Sequence, residues 1–281
     1  MTYVKCTIHV PDPYQEFLIA DLMDLDFYGF EQFDDKLVAY IDRQRFDDTN
    51  RETLEQLLVN IPEQNGFEIE EIEEENWNSR WEKGILPISA GAFFIRPTWN
   101  RSEPDGDQIV IEIDPKMSFG TGFHETTRLM LSKLSELDMQ NKNVLDAGTG
   151  TGILAIAACK LGASGVFAFD IDPWSIRNAE ENFALNNVSG KIQLREGGEE
   201  LLEEHQTYHL IMANVNRNVL LQMLPVFEKM VTGDGSVLLS GLLNEDIKLI
   251  DSKLKELNMK IIDNLQESEW ILMHLEKEMD L

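Results

Sequence analysis

Val144-Leu145-Asp146-Ala147-Gly148-Thr149-Gly150-Thr151-Gly152 begins as an apolar run of strand type and turns, midway, into a segment with glycine at every second position. The apolar block Ile153 to Lys160 follows, stopped by Gly162, and has the length and composition of a buried helix. Strand, tight glycine turn and helix is therefore the predicted order. The glycines at 148, 150 and 152 remove side chains where the backbone must bend, and they let a ligand approach main-chain N–H groups at a helix N-terminus. Further on, Gly165 to Phe169 reads as a second strand ending in Asp170, 22 residues past the first glycine. A carboxylate there can accept hydrogen bonds from both hydroxyls of a ribose. Asp172 followed by Pro173 marks the start of another helix. An α/β sheet binding a nucleoside-bearing cofactor is expected, and the turn alone leaves the cofactor open, because nicotinamide and flavin enzymes use the same architecture.

Outward from that core, His209 to Asn214 reads as a strand whose C-terminal end lies beside the ligand at the switch point of the sheet, which makes Asn214 a candidate site residue. Lys260 to Glu267 and Glu269 to Glu276 read as two adjacent strands, and Ile88 to Arg96 with Gln108 to Ile113 as a strand pair. The first third has its own pattern. Tyr3 to Val10 is strand-like, and a helix from Asp12 places Tyr14, Phe17, Leu18, Leu22 and Leu25 on one face. Strands Gly29 to Phe33 and Lys36 to Asp42 flank an Asp34-Asp35 turn, a helix covers Asp48 to Val59, and Phe67 to Glu73 is a last strand. That order, β-α-β-β-α-β, is the split pattern of a ferredoxin-like sandwich. The predicted organisation is a ferredoxin-like α+β domain over 1–73, a linker over 74–84, and a larger α/β domain over 85–281. Trp77 and Trp81 in the linker suit either a plug at the domain joint or a substrate-facing role.

The 281 residues include 24 Lys plus Arg against 51 Asp plus Glu, a net charge of −27, with 43% hydrophobic residues. Such a chain buries a full core and is not a disordered tail. Its negative field opposes a phosphate backbone or an anionic membrane and favours a Lys-rich partner. Residues 1–80 hold 20 Asp plus Glu and 6 Lys plus Arg, a net −14. That concentration predicts a docking surface, against the plainer reading that acidity serves solubility. Cys6 and Cys159 are the two cysteines, too few for a disulfide framework or a zinc cluster, and no apolar run is long enough to cross a bilayer. A cytoplasmic protein is expected.

Two details narrow the cofactor. Asp146 ends its strand two positions before the first glycine, and the glycines run G-x-G-x-G rather than G-x-G-x-x-G. This is similar to the motif of class I S-adenosylmethionine methyltransferases, which implies S-adenosyl-L-methionine as cofactor and a Rossmann-like seven-stranded sheet closed by the C-terminal strand pair. Amide and adenine methyltransferases carry Asn-Pro-Pro-aromatic where this chain has Asn214-Val215-Asn216-Arg217, so those substrates are disfavoured.

Upstream lies Asp114-Pro115-Lys116-Met117-Ser118-Phe119-Gly120-Thr121-Gly122-Phe123-His124-Glu125-Thr126-Thr127. With Trp77 to Trp81, the glycine motif and Ala213-Asn214, it resembles the PrmA family, the lysine methyltransferases of ribosomal protein L11. The likeness runs from about Trp77 to the end, and the acidic N-terminal unit agrees with that family's substrate-recognition domain. The resemblance implies cofactor contacts at Thr127, Gly148, Asp170 and Asn214; because methyl transfer needs a neutral amine with its lone pair aimed at the methyl group, the Asn214 side chain and nearby backbone carbonyls are the candidates for positioning the acceptor, with Asn214 the catalytic residue. It further implies a basic large-subunit ribosomal protein as partner, methylated on lysine and N-terminal amines; displacement at a sulfonium needs no metal, the charge and apolar runs disfavour nucleic acid and membrane, and a monomer is expected. Many members carry a proline where Glu125 stands, Cys and Ser where Thr149 and Thr151 stand, and Ile-Leu where Val215-Asn216 stands. The alternatives are a methyltransferase of another protein or a small molecule, and a cofactor-binding module without turnover. His124 opens a helix before a Thr pair and reads as a loop anchor rather than a general base.

Overall fold

The computed structural model describes residues 2–23, 25–59, 61, 66–73, 85–104, 106–114, 116, 118–202 and 205–278. The chain divides into two compact units, Met1–Ser79 and Arg80–Leu281. The predicted linker, 74–84 with Trp77 and Trp81, lies outside the described residues, as does the side chain of Phe17.

The first unit runs β1 (Thr2–Ile8), α1 (Asp12–Met23), β2 (Gly29–Phe33), β3 (Lys36–Asp42), α2 (Asp48–Val59) and β4 (Phe67–Glu73). Its sheet order is β2-β3-β1-β4 with every pair antiparallel, the ferredoxin-like arrangement. Val4, Cys6 and Ile8 alternate inward along β1, as do Leu37, Ala39 and Ile41 along β3. They meet Leu18 and Leu22 of α1 and Leu54 and Leu58 of α2, each pair four apart and so on one helix face. Two positions depart from the predicted apolar face. Leu25 lies beyond the end of α1, and Tyr14 is 37% exposed. Tyr14 stands in the first turn of α1 and lines a surface groove together with Thr53, Gln56, Leu57 and Ile61.

In the second unit, β5 (Ile88–Ala90), β6 (Phe93–Arg96) and β7 (Ile109–Glu112) form a separate three-stranded sheet. The predicted strand over 88–96 is thus two strands. Gly91 turns the chain at φ +56°, and a Cβ on it would sit 2.2 Å from Ser135 Oγ and 2.9 Å from Ser132 Cα, so only glycine lets the turn lie so close to that helix. Then come α3 (Glu125–Leu134), β8 (Asn143–Ala147), α4 (Ile153–Lys160), β9 (Gly165–Asp170), α5 (Pro173–Leu185), β10 (Ile192–Glu196) and β11 (Tyr208–Asn214). The chain closes with α6 (Arg217–Met230), β12 (Val231–Leu243), α7 (Ile247–Leu254), β13 (Met259–Glu267) and β14 (Trp270–Lys277).

These strands form a seven-stranded sheet in the order β10-β9-β8-β11-β12-β14-β13, parallel except for β14, which runs antiparallel to both neighbours. Successive residues point to opposite faces and both faces are covered. Val144, Met212, Leu238 and Leu272 pack with Met130, Ile156 and Phe183. Their neighbours Leu145, Ile211, Leu239 and Met273 pack with Leu224, Phe227 and Ile250. The chain steps outward from β8 through β9 to β10 and then returns to the other side of β8 as β11. The C-terminal ends of β8 and β11 therefore flank the topological switch point, where open α/β sheets bind their ligands.

Candidate active site

Gly148 leaves β8 at φ +74° and Gly150 follows at φ +56°, both left-handed. A Cβ on Gly148 would lie 2.3 Å from Val215 Cγ1, and one on Gly150 would lie 2.4 Å from the Phe119 carbonyl oxygen. The turn is thus pinched between the residue after β11 and the loop before α3. Its N–H groups are not open to a ligand, contrary to the sequence-based expectation. Gly148 and Thr149 donate to the Phe169 carbonyl at 2.9 and 3.0 Å, Thr151 to Phe119 O at 2.8 Å, and Gly152 to Thr149 O at 2.8 Å. Gly150 N–H donates to Asp170 Oδ2 at 2.9 Å. The turn supplies shape and close approach, while the adjoining strand end and loop satisfy its donors.

Asp170, at the end of β9, accepts that bond on Oδ2 and one from Asp172 N–H on Oδ1 at 3.0 Å. Each carboxylate oxygen keeps a lone-pair direction for a further donor. Asn214 ends β11, and its Oδ1 is shielded from solvent with no hydrogen-bond partner among the described residues. Asn216 caps α6 by accepting from Val219 N–H at 3.2 Å. Gly148, Asp170 and Asn214 line one cavity of about 490 Å³, whose walls include Phe119, Ile171 and Val215. Three of the four predicted cofactor residues are therefore brought together.

The fourth, Thr127, lies in the first turn of α3, is fully buried and does not line that cavity. Its Oγ1 nevertheless lacks a partner. His124 caps α3, with Nδ1 accepting from Thr126 N–H at 3.3 Å, and its ring lies against Phe119 at 5.2 Å and Trp270 at 4.8 Å. That is the geometry of a loop anchor. Among the described residues no group of three or more His, Cys, Asp or Glu could hold a metal ion, and no helix is long and apolar enough to cross a membrane.

Sequence reasoning used Asp146 for its spacing and missed its burial beneath the glycine turn. Asp146 is fully buried, and its Oδ2 accepts from Thr149 Oγ1 at 2.6 Å and Ala155 N–H at 3.2 Å, while Oδ1 has no partner. Burial pushes its pKa up to about 7, against the lowering effect of those two donors. In an unfolded chain an aspartate titrates near ~3.9, so the folded protein binds the Asp146 proton more tightly. The resulting stabilisation is fully present below about pH 4 and is lost as the pH rises through about 7. Thermal unfolding of the ligand-free protein is expected to show stability falling between about pH 4 and about pH 7 by a few kcal/mol more than in Asp146→Asn. Parallel profiles for the two proteins would show that Asp146 does not titrate in this range. Phe119 and Ile171, 52% and 77% exposed, were also missed, because an apolar residue in a loop carries no sequence signal for a cavity wall.

The order of the seven-stranded sheet and the glycine turn at its switch point are those of a class I methyltransferase domain. The chain belongs to the ribosomal protein L11 methyltransferase (PrmA) family, whose profile matches residues 21–278. It is 36% identical over 274 residues to a ribosomal protein L11 methyltransferase of Chlorobaculum parvum, covering 96% of this chain and 94% of that one. To the protein of that name from Porphyromonas gingivalis it is 39% identical over 259 residues, covering 91% and 88%. Among solved structures, a ribosomal protein L11 methylase from Lactobacillus delbrueckii subsp. bulgaricus matches with TM-score 0.64 and 33% identity, covering 69% of this chain and all of that one.

Proposed function

We propose that this methyltransferase transfers methyl groups from S-adenosyl-L-methionine to lysine and N-terminal amines of ribosomal protein L11. The observation that carries the reading is the switch-point cavity lined by Gly148, Asp170 and Asn214, beside three shielded oxygens, Thr127 Oγ1, Asp146 Oδ1 and Asn214 Oδ1, that have no hydrogen-bond partner among the described residues. Asn214 Oδ1 belongs to the cavity at the switch point, while Thr127 and Asp146 are buried on α3 and β8 without lining it. Buried polar atoms are rarely left unpaired in a protein alone, so the set fits a ligand rich in donors. S-adenosyl-L-methionine has such donors in its ammonium group and ribose hydroxyls. In this reading Asp170 holds the ribose, Gly148 and Ile171 give the nucleoside close and apolar surfaces, and Asn214 faces the amino-acid end. Relatives that align over nearly the whole chain bear the name of the L11 enzyme, which supports that substrate.

The cofactor supplies a methyl group on a sulfonium, open to in-line displacement by a neutral amine. The protein's task is to align the acceptor and exclude water, while the incoming ammonium releases its proton to solvent before attack. A lysine side chain has a pKa near ~10.4 and an α-amino group near ~8, so both arrive largely protonated and lose the proton on entering an apolar site. Asn214 Oδ1, shielded and unpartnered, accepts one N–H of the amine and turns its lone pair toward the methyl group. Asn214→Ala is expected to lower kcat by about 10²-fold while raising the cofactor Kd less than tenfold. Single-turnover transfer of labelled methyl to purified L11, run beside calorimetry, separates the two effects. An equal loss in both would make Asn214 a cofactor residue alone, and no transfer by the wild type would refute the reading.

A further inference from the structure

The loop 118–124 forms one wall of the ligand cavity through Phe119 and is fastened to the glycine turn at two points. Thr151 N–H donates to Phe119 O at 2.8 Å and Thr151 Oγ1 to Gly120 O at 2.6 Å. Those bonds fix the front of the loop, and its rear is fixed by a different part of the chain. Arg128, in α3, donates from Nη1 to the Phe123 carbonyl oxygen. The same guanidinium donates from Nε to Glu267 Oε1 at 2.9 Å and Oε2 at 3.3 Å, and from Nη2 to Glu267 Oε1. Glu267 is the last residue of β13, paired across the hairpin with Trp270, whose ring lies 4.8 Å from that of His124. His124 in turn lies 5.2 Å from Phe119.

We propose that the tip of the β13–β14 hairpin sets the position of the 118–124 loop over the ligand cavity, with Arg128 and Glu267 as positioning residues. The geometry distinguishes this from a helix-to-sheet ion pair that only adds stability. An ion pair needs charge at both ends, whereas here the guanidinium also reaches a loop carbonyl, which needs a planar group with donors on several nitrogens. Glu267 holds the guanidinium plane, and the plane presents Nη1 to Phe123 O. The Arg128 and Glu267 side chains are 25% and 39% exposed, so their Coulomb attraction is screened and worth little by itself. Their orientation of the loop is what the site uses. Neither residue lines the cavity.

This inference rests on the proposed cofactor. Its test is calorimetric binding of S-adenosyl-L-methionine to the full chain and to Glu267→Gln, Arg128→Lys and Arg128→Met, with thermal unfolding of each free protein and steady-state methyl transfer. The cofactor Kd and KM are expected to rise about threefold in Glu267→Gln and about tenfold in Arg128→Met, with kcat changed less. Arg128→Lys keeps the charge but cannot serve Glu267 and Phe123 O in one planar arrangement, so it should resemble Arg128→Met in affinity and the wild type in melting temperature. A merely structural pair would leave cofactor affinity at the wild-type level in every folded variant and move only the melting temperature. Unchanged cofactor affinity in folded Glu267→Gln and Arg128→Lys would overturn the inference, and these milder variants carry the test if Arg128→Met does not fold. Failure of the wild type to bind the cofactor would instead count against the proposed function.

Discussion

Asp170→Ala is expected to weaken S-adenosyl-L-methionine binding by about 1.5 to 3 kcal/mol, or about 10- to 150-fold, while leaving the chain folded. The substitution removes a charged acceptor with a free lone-pair direction on each oxygen, suited to two adjacent ribose hydroxyls. It also releases the N–H groups of Gly150 and Asp172, which Asp170 holds at 2.9 and 3.0 Å. The glycine turn therefore loses a tether as well as a ligand contact, which places the loss toward the upper part of that range. Calorimetry with a circular-dichroism check of folding decides the matter. Unchanged affinity in a folded variant would remove the cofactor assignment, and tight binding of a nicotinamide dinucleotide to the wild type would replace it.

A chain beginning at Ile85 is expected to bind the cofactor with wild-type affinity and to lose methylation of ribosomal protein L11. Every residue assigned to the cofactor lies downstream of that point, whereas the net charge of −14 over residues 1–80 lies upstream. A basic ribosomal protein is attracted to that unit at low ionic strength, and the attraction shortens as the Debye length falls from about 10 Å at 0.1 M salt to about 3 Å at 1 M. Methylation of L11 by the full chain should thus fall with salt more steeply than cofactor binding does. If the shortened chain, shown to be folded, methylated L11 at the full-length rate, the acidity would revert to a solubility role.

The strand-turn-helix at 144–160 was legible because the periods of strand and helix differ and the glycines mark the change between them. The ferredoxin-like unit was legible for the same reason, with Val4, Cys6 and Ile8 alternating along β1 and Leu18 and Leu22 spaced along α1. The region 217–258 was not. Pro225 stands inside α6, and β12 contains Gly233, Gly235 and Gly241, so residues that usually end elements sit within them, held there by tertiary packing. The site divides in a similar way. Gly148, Asp170 and Asn214 follow from strand ends and the switch point, a rule of topology. The bonds that occupy the turn's N–H groups, such as Thr151 to Phe119 O, join segments about thirty residues apart, and no local pattern encodes them. Thr127 entered through family likeness alone, and in the fold its hydroxyl is buried beside the site without lining the cavity.

A switch-point cavity that brings a methyl donor to an amine of a docked protein must leave methyl groups on that protein. Intact-mass spectrometry of purified ribosomal protein L11, incubated with the full chain and S-adenosyl-L-methionine, tests it most directly. The account predicts L11 species heavier by whole methyl increments, with fragment ions placing them on lysine and N-terminal amines, and none when Asp170→Ala replaces the wild type at a cofactor concentration well below that variant's Kd. L11 of unchanged mass, in a reaction where the chain is shown by calorimetry to bind the cofactor, would contradict it.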